Sequence, residues 1–259
     1  MSTQSSAVEQ LNAILMADDV SSSLWAAIDS GRAAELIPEL PALRMEQDPI
    51  HRHKDVLAHT VAVVAKTPPD LVVRLAALFH DIAKPKTRSF EHGGVTFRHH
   101  EVVGGRMTKK RMKALGYDET MIEQVSELVR LSGRFKGYAD GWSDAAVRRY
   151  ARDAGPLLGQ LNALVRSDCT TRNKTKAEAV QSAMDDLERR VGELAEEDRR
   201  AAERPQIDGD AVMELLEIGP GREVGQIMRW LLELKRSEGE LPLDDLHQRV
   251  RDYHQQLTA

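Results

Sequence analysis

Seven of the nine histidines fall between His51 and His100, and the other two, His247 and His254, lie near the C-terminus. Three phrases in that window carry ligand-type side chains: HRHKDVLAHT, the His80 and Asp81 doublet of LAALFHDIAKP, and FRHHEVVGG. The doublet interrupts an otherwise apolar helical pattern, where a carboxylate is expensive to desolvate unless a cation or hydrogen bonds compensate. A divalent metal would supply that compensation. Taken alone, His59 reads as a core histidine whose two nitrogens are satisfied by backbone. Together with His80, Asp81 and Asp168, which follows an apolar helix, it completes an ordered set of imidazoles and carboxylates that reads as a metal site. Mixed nitrogen and oxygen donors suit Mn, Fe, Ni or Zn, with Mg an option for an oxygen-rich variant.

Helices must position these groups. The chain has 259 residues, 41% hydrophobic and 30% charged but only 4% aromatic, a composition that favours surface helices over a β-sandwich. Apolar positions at helical spacing occur at Val8, Leu11, Ile14 and Leu15, and again at Leu24, Ala27 and Ile28. Pro38 and Pro41 place an elbow in IPELPALR. Two apolar helices are predicted over 54–65 and 70–83, divided by Pro68 and Pro69, and a loop over 85–97 that forms a lip over the site. Further helices are predicted over 100–115, 118–131, 143–152, 156–169 and 174–202, the last a long charged one. The segment from Ile207 onward reads as a separate small helical unit.

The single cysteine, Cys169, excludes an intrachain disulfide, and the N-terminal residues have no signal-peptide pattern, so a cytoplasmic location is expected. No apolar run is long enough to cross a bilayer, so no membrane partner is expected. A net charge of −5 means that any nucleic acid must be met by local cation clusters. Two exist: Arg106, Lys109, Lys110, Arg111 and Lys113, and then Arg166, Arg172, Lys174 and Lys176 around Asp168. The plain reading of the first is a solvated helix face.

These phrases, together with LIPELPALRM, SDAAVRRYARDAGPLL, RSDCTTRN and IDGDAVMELLEIGPGREVG, resemble the HD superfamily of metal-dependent phosphohydrolases. Within it the resemblance is to the C-terminal half of bacterial CCA-adding tRNA nucleotidyltransferases, and it covers nearly the whole chain. The resemblance implies an all-α fold, an HD-domain helical bundle with a short N-terminal helical segment and a C-terminal helical tail. Residues 1–43 would be N-terminal helices like the RNA-binding linker of those enzymes, 44–173 the HD domain, 174–204 the long charged helix and 205–259 the tail. It implies that His59, His80, Asp81 and Asp168 hold one metal and that His100 serves a second metal or the substrate. The glycine that precedes this histidine in the family is His99 here. Two departures follow. Ser132 and Lys136 stand where the family commonly has histidines, and a hydroxyl is a poor ligand for a borderline metal, so one ion per chain is expected. About the first 50 residues lack the glycine-serine phrase and paired aspartates of a nucleotidyltransferase centre, so nucleotide addition is not expected of this chain alone.

The expected activity is hydrolysis of a phosphomonoester or phosphodiester in a nucleotide or RNA end. Asp81 would orient the nucleophile, Lys84 and Arg88 would neutralise phosphate oxygens, and His53 or His100 would protonate the leaving oxygen. Lys54, Arg134 and Arg172 are further candidates for substrate contact. The rival expectation is a tRNA-binding portion of a split or degenerate CCA-adding system with a structural metal site.

Overall fold

The computed structural model describes residues 6–45, 55–91 and 94–259. Helix starts follow side-chain caps. Ser6 and Glu9 form a reciprocal capping box at the start of α1 (Ala7–Leu15), and Asp19 caps α2 (Val20–Asp29). A short α3 (Arg32–Leu36) and a 3-10 turn (Leu40–Leu43) complete the N-terminal group, with the elbow at the two prolines as expected. Asp55 and Asp70 cap α4 (Val56–Lys66) and α5 (Leu71–Phe79).

Helix α5 is the centre of the bundle, with every residue from Val73 to Phe79 buried. It packs against α1, α4, α8 (Glu119–Leu131) and α10 (Leu158–Asp168). Its end differs from expectation. The pattern predicts helix to residue 83, but α5 stops at Phe79, and His80 to Ala83 form a turn before the short α6 (Lys84–Thr87). The His80 and Asp81 doublet therefore sits where the helix opens, which frees both side chains to converge on neighbours outside it.

The expected loop after α6 contains a two-stranded antiparallel hairpin, β1 (Ser89–Glu91) with β2 (Gly94–Thr96), in which Phe90 pairs with Val95. Helix α7 (His100–Leu115) then lies along α8. Gly104 and Gly105 explain how closely. A Cβ at Gly105 would stand 2.9 Å from the Ser126 carbonyl oxygen, and one at Gly104 would meet Val129 at 3.2 Å and the His80 carbonyl at 3.8 Å. The paired glycines of FRHHEVVGG let α7 approach both α8 and the turn that carries His80.

Ser143 caps α9 (Asp144–Ala154), and α11 (Lys174–Ala202) follows α10. The chain forms two compact units, residues 1–192 and 193–259, and the division falls inside α11. In the second unit, α12 (Gly209–Leu216), α13 (Arg222–Glu238) and α14 (Leu243–Thr258) enclose Val212, Ile227, Leu231, Leu246 and Val250. Trp230 stacks on Tyr253 beside that cluster. Among the described residues no helix is long and apolar enough to cross a membrane.

Candidate metal centre

Residues from α4, the turn after α5, the start of α7 and the end of α10 meet at one cavity of about 320 Å³. It is lined by His59, His80, Asp81, Lys84, Phe97, His100, Ser132, Gly133, Lys136 and Asp168. One ligand atom from each of His59, His80 and Asp168 lies within 4.8 Å of the others. Nε2 of His59 accompanies Asp168 Oδ1 at 2.9 Å, and Nε2 of His80 is 3.5 Å from the same oxygen. Asp81 joins them, with Oδ2 at 3.2 Å from His80 Nε2 and 3.7 Å from His59 Nε2.

The opposite ring nitrogens show why all three imidazoles face inward. Nδ1 of His80 donates to the Ala77 carbonyl at 2.7 Å, and Nδ1 of His100 donates to the Phe97 carbonyl at 2.8 Å. Nδ1 of His59 is 2.9 Å from the Thr170 hydroxyl. Partners that occupy Nδ1 orient the ring and leave Nε2 for a ligand. Lys66 on α4 also donates to the Cys169 carbonyl, which holds the segment after Asp168 against α4.

Electrostatics favour a cation at this point. Asp81 is 1% exposed, yet its Oδ2 and the Nε2 of His80 are buried without a hydrogen-bond partner among the described residues. Nζ of Lys84 is 2.8 Å from Asp81 Oδ2 but is not aligned as a hydrogen bond, so the contact is an ion pair only. Burial alone would lower the His80 pKa, but the negative charges of Asp81 and Asp168 override it and push it up to about 10. Burial would raise both carboxylates, and it is likewise overridden. The His80 charge, Lys84 and His59 hold Asp81 far below the usual carboxylate range, and hydrogen bonding to His59 with the nearby charge of His80 holds Asp168 well below it. Two carboxylate oxygens and two imidazole nitrogens, of which Asp81 Oδ2 and His80 Nε2 have no hydrogen-bond partner among the described residues, fit a borderline divalent ion.

The remaining candidates separate cleanly. His100 is buried with Nε2 3.5 Å from Asp81 Oδ1, and burial lowers its pKa. Lys84 is buried in the wall, with its ammonium 5.6 Å from the centroid of the Phe97 ring. Arg88 does not line the cavity but lies over the ring of Phe90 on the hairpin. Arg172 is exposed and does not line the cavity either, and Arg134 pairs with Asp153 at 2.9 Å in a neighbouring one. His53 and Lys54 lie outside the described residues. Of the two cation clusters, Arg111 is engaged by Glu39 and Arg166 by Asp185 and Glu188.

Glu101 and Thr170 were not visible as functional groups from sequence. Glu101 accepts from Lys136 at 2.8 Å and approaches His100 Nδ1 at 3.5 Å. Its position next to His100 was the available signal. Ser132 turns its hydroxyl back onto the Val129 carbonyl, and Lys136 extends an ammonium to Glu101, so neither substitute supplies an imidazole at the rim.

The family profile of the HD domain matches residues 55–238. The chain belongs to the HD-domain family. The chain is similar to the A-adding tRNA nucleotidyltransferase of Deinococcus radiodurans, 30% identical over 243 residues that cover 90% of this chain and 54% of the relative. The CC-adding tRNA nucleotidyltransferase of Thermus thermophilus is 30% identical over 217 residues, covering 79% of this chain and 46% of the relative. The chain thus spans about half the length of the curated relatives it matches.

Proposed function

We propose that this HD domain is a metal-dependent phosphohydrolase acting on nucleotides or RNA ends, with His59, His80, Asp81 and Asp168 as the ligands of one divalent ion. The observation that carries the reading is the convergence of His59, His80 and Asp168 within 4.8 Å beside a buried Asp81 oxygen that lacks a hydrogen-bond partner. These four residues would hold the ion, which would supply Lewis-acid chemistry at the cavity. Asp81 orients the attacking water. Lys84 neutralises a phosphate oxygen from the cavity wall, and His100 moves the proton of the leaving oxygen. Arg88 and Arg172 have no part in this scheme, since neither lines the cavity.

Elemental analysis and a panel of phosphomonoesters and phosphodiesters with added Mn test the reading. The expected result is turnover that falls more than about a hundredfold in His80→Ala and Asp81→Ala. Equal activity, or none, in the variants and the parent would overturn it.

A second reading rests on the similarity to proteins whose names assign them A-adding and CC-adding activity on tRNA. In it the chain is the tRNA-binding part of such a system and the metal is structural. Salt-sensitive tRNA binding that survives His80→Ala, with no turnover in the parent, would favour it.

A further inference from the structure

Next to the metal cavity lies a second one of about 300 Å³, lined by Arg134, Lys136, Trp142, Ala146, Arg149, Tyr150 and Asp153. The two share Lys136, so a ligand in one adjoins a ligand in the other. The lining joins aromatic surface to cations. Trp142 is half-buried, tilted against Tyr150 at 5.7 Å between centroids and edge to face with Tyr138 at 5.2 Å. The Tyr150 hydroxyl donates to Asn162, so only its ring serves the cavity. Asp153 fixes Arg134, and Lys136 reaches across to Glu101. Arg149 is exposed and has no ion pair among the described residues.

A half-buried indole beside three cationic side chains, of which Arg149 has no ion pair among the described residues, is chemistry that recognises a nucleotide: the ring takes a base face, and Arg149 takes backbone phosphate. A volume of about 300 Å³ is the low end for a ligand pocket and suits a single base. We propose that this second cavity binds the nucleotide adjoining the scissile phosphate, so that the substrate is the end of a single-stranded oligonucleotide and not a mononucleotide. The proposal rests on the phosphohydrolase reading for the word scissile. The binding site itself does not depend on it.

The test is equilibrium binding to the Mn-loaded full chain of two probes, a single-stranded tetraribonucleotide with a terminal phosphate and adenosine monophosphate. Arg149→Ala is the first variant, because Arg149 is exposed and supports no packing. Trp142→Ala and Trp142→Phe form the second pair, the phenylalanine keeping a ring against Tyr138 and Tyr150. In Trp142→Ala the tetranucleotide should lose about tenfold more affinity than the mononucleotide, as expected for removing one stacked base. Trp142→Phe should recover most of that difference, and Arg149→Ala should flatten the salt dependence of tetranucleotide binding. Equal losses for both probes, or no loss for either, overturn the subsite. If the difference holds while the parent hydrolyses nothing, the subsite stands as an RNA-binding element and the hydrolase reading falls.

Discussion

Lys84→Met should move metal affinity and turnover in opposite directions. Lys84 is 6% exposed, and its ammonium is 2.8 Å from Asp81 Oδ2, the same oxygen that a divalent ion would use. At an effective dielectric of about 20, a unit pair at that distance attracts by about 6 kcal/mol before desolvation. Removing one partner of a buried pair typically costs about 3–5 kcal/mol. His80 shares the Asp81 charge, which points to the lower end, about 3 kcal/mol. For a unit of this size 1 kcal/mol shifts Tm by about 2–4 °C, so the variant in EDTA should melt about 6–12 °C below the parent. A metal should reverse most of this, because it replaces the missing cation without competition from the ammonium. Thermal melts of both proteins with EDTA and with graded Mn measure the effect, and phosphodiesterase assays follow turnover. The expected outcome is a larger metal-induced Tm increase and at least about tenfold tighter Mn binding in Lys84→Met, with reduced turnover. Equal Tm values in EDTA, or the same metal increment in both proteins, would show that Lys84 does not compete for Asp81.

Gly105→Ala should destabilise by about 1–3 kcal/mol through the 2.9 Å approach to the Ser126 carbonyl, whereas Gly192→Ala, in the exposed part of α11 with open space around it, should stabilise by about 0.5–1 kcal/mol; denaturant titration gives both signs. Glu39 is held below its ordinary pKa because bidentate contact with Arg111, at 2.8 and 2.9 Å, outweighs its partial burial. A depressed carboxylate contributes stability above the unfolded value of 4.5 and loses it as pH falls through the folded one, so Arg111→Met should cost more at pH 6 than at pH 3, as melts at the two values will show. The double variant Ser132→His with Lys136→His should raise Mn content from about one ion per chain toward two, measured by elemental analysis, since imidazole replaces a hydroxyl and an ammonium at the cavity rim.

The candidate ligand set stood out in the sequence because of where its side chains lie. His59, His80, Asp81 and Asp168 are polar groups inserted into apolar runs, and no core needs them there. What orients them was not legible. The Ala77 and Phe97 carbonyls and the Thr170 hydroxyl belong to residues whose types carry no signal, and only the fold brings Thr170 to His59 across 111 positions. The end of α5 was misplaced because Ile82 and Ala83 continue the apolar pattern, and burial in a turn reads like burial in a helix. The hairpin was missed because strands of three residues are too short to show alternation. Arg88 and Arg172 show the reverse limit: nearness in sequence to a ligand does not aim a long side chain at it.

His99, which the sequence resemblance places at a family glycine, adopts φ 60° and ψ 20°, the left-handed conformation that glycine reaches most easily. It therefore sets the angular phase at which α7 begins. Because Gly104 and Gly105 fix which face of α7 meets α8, one residue more or less between His100 and Gly104 would carry the His100 ring about 100° around the helix axis, away from Asp81.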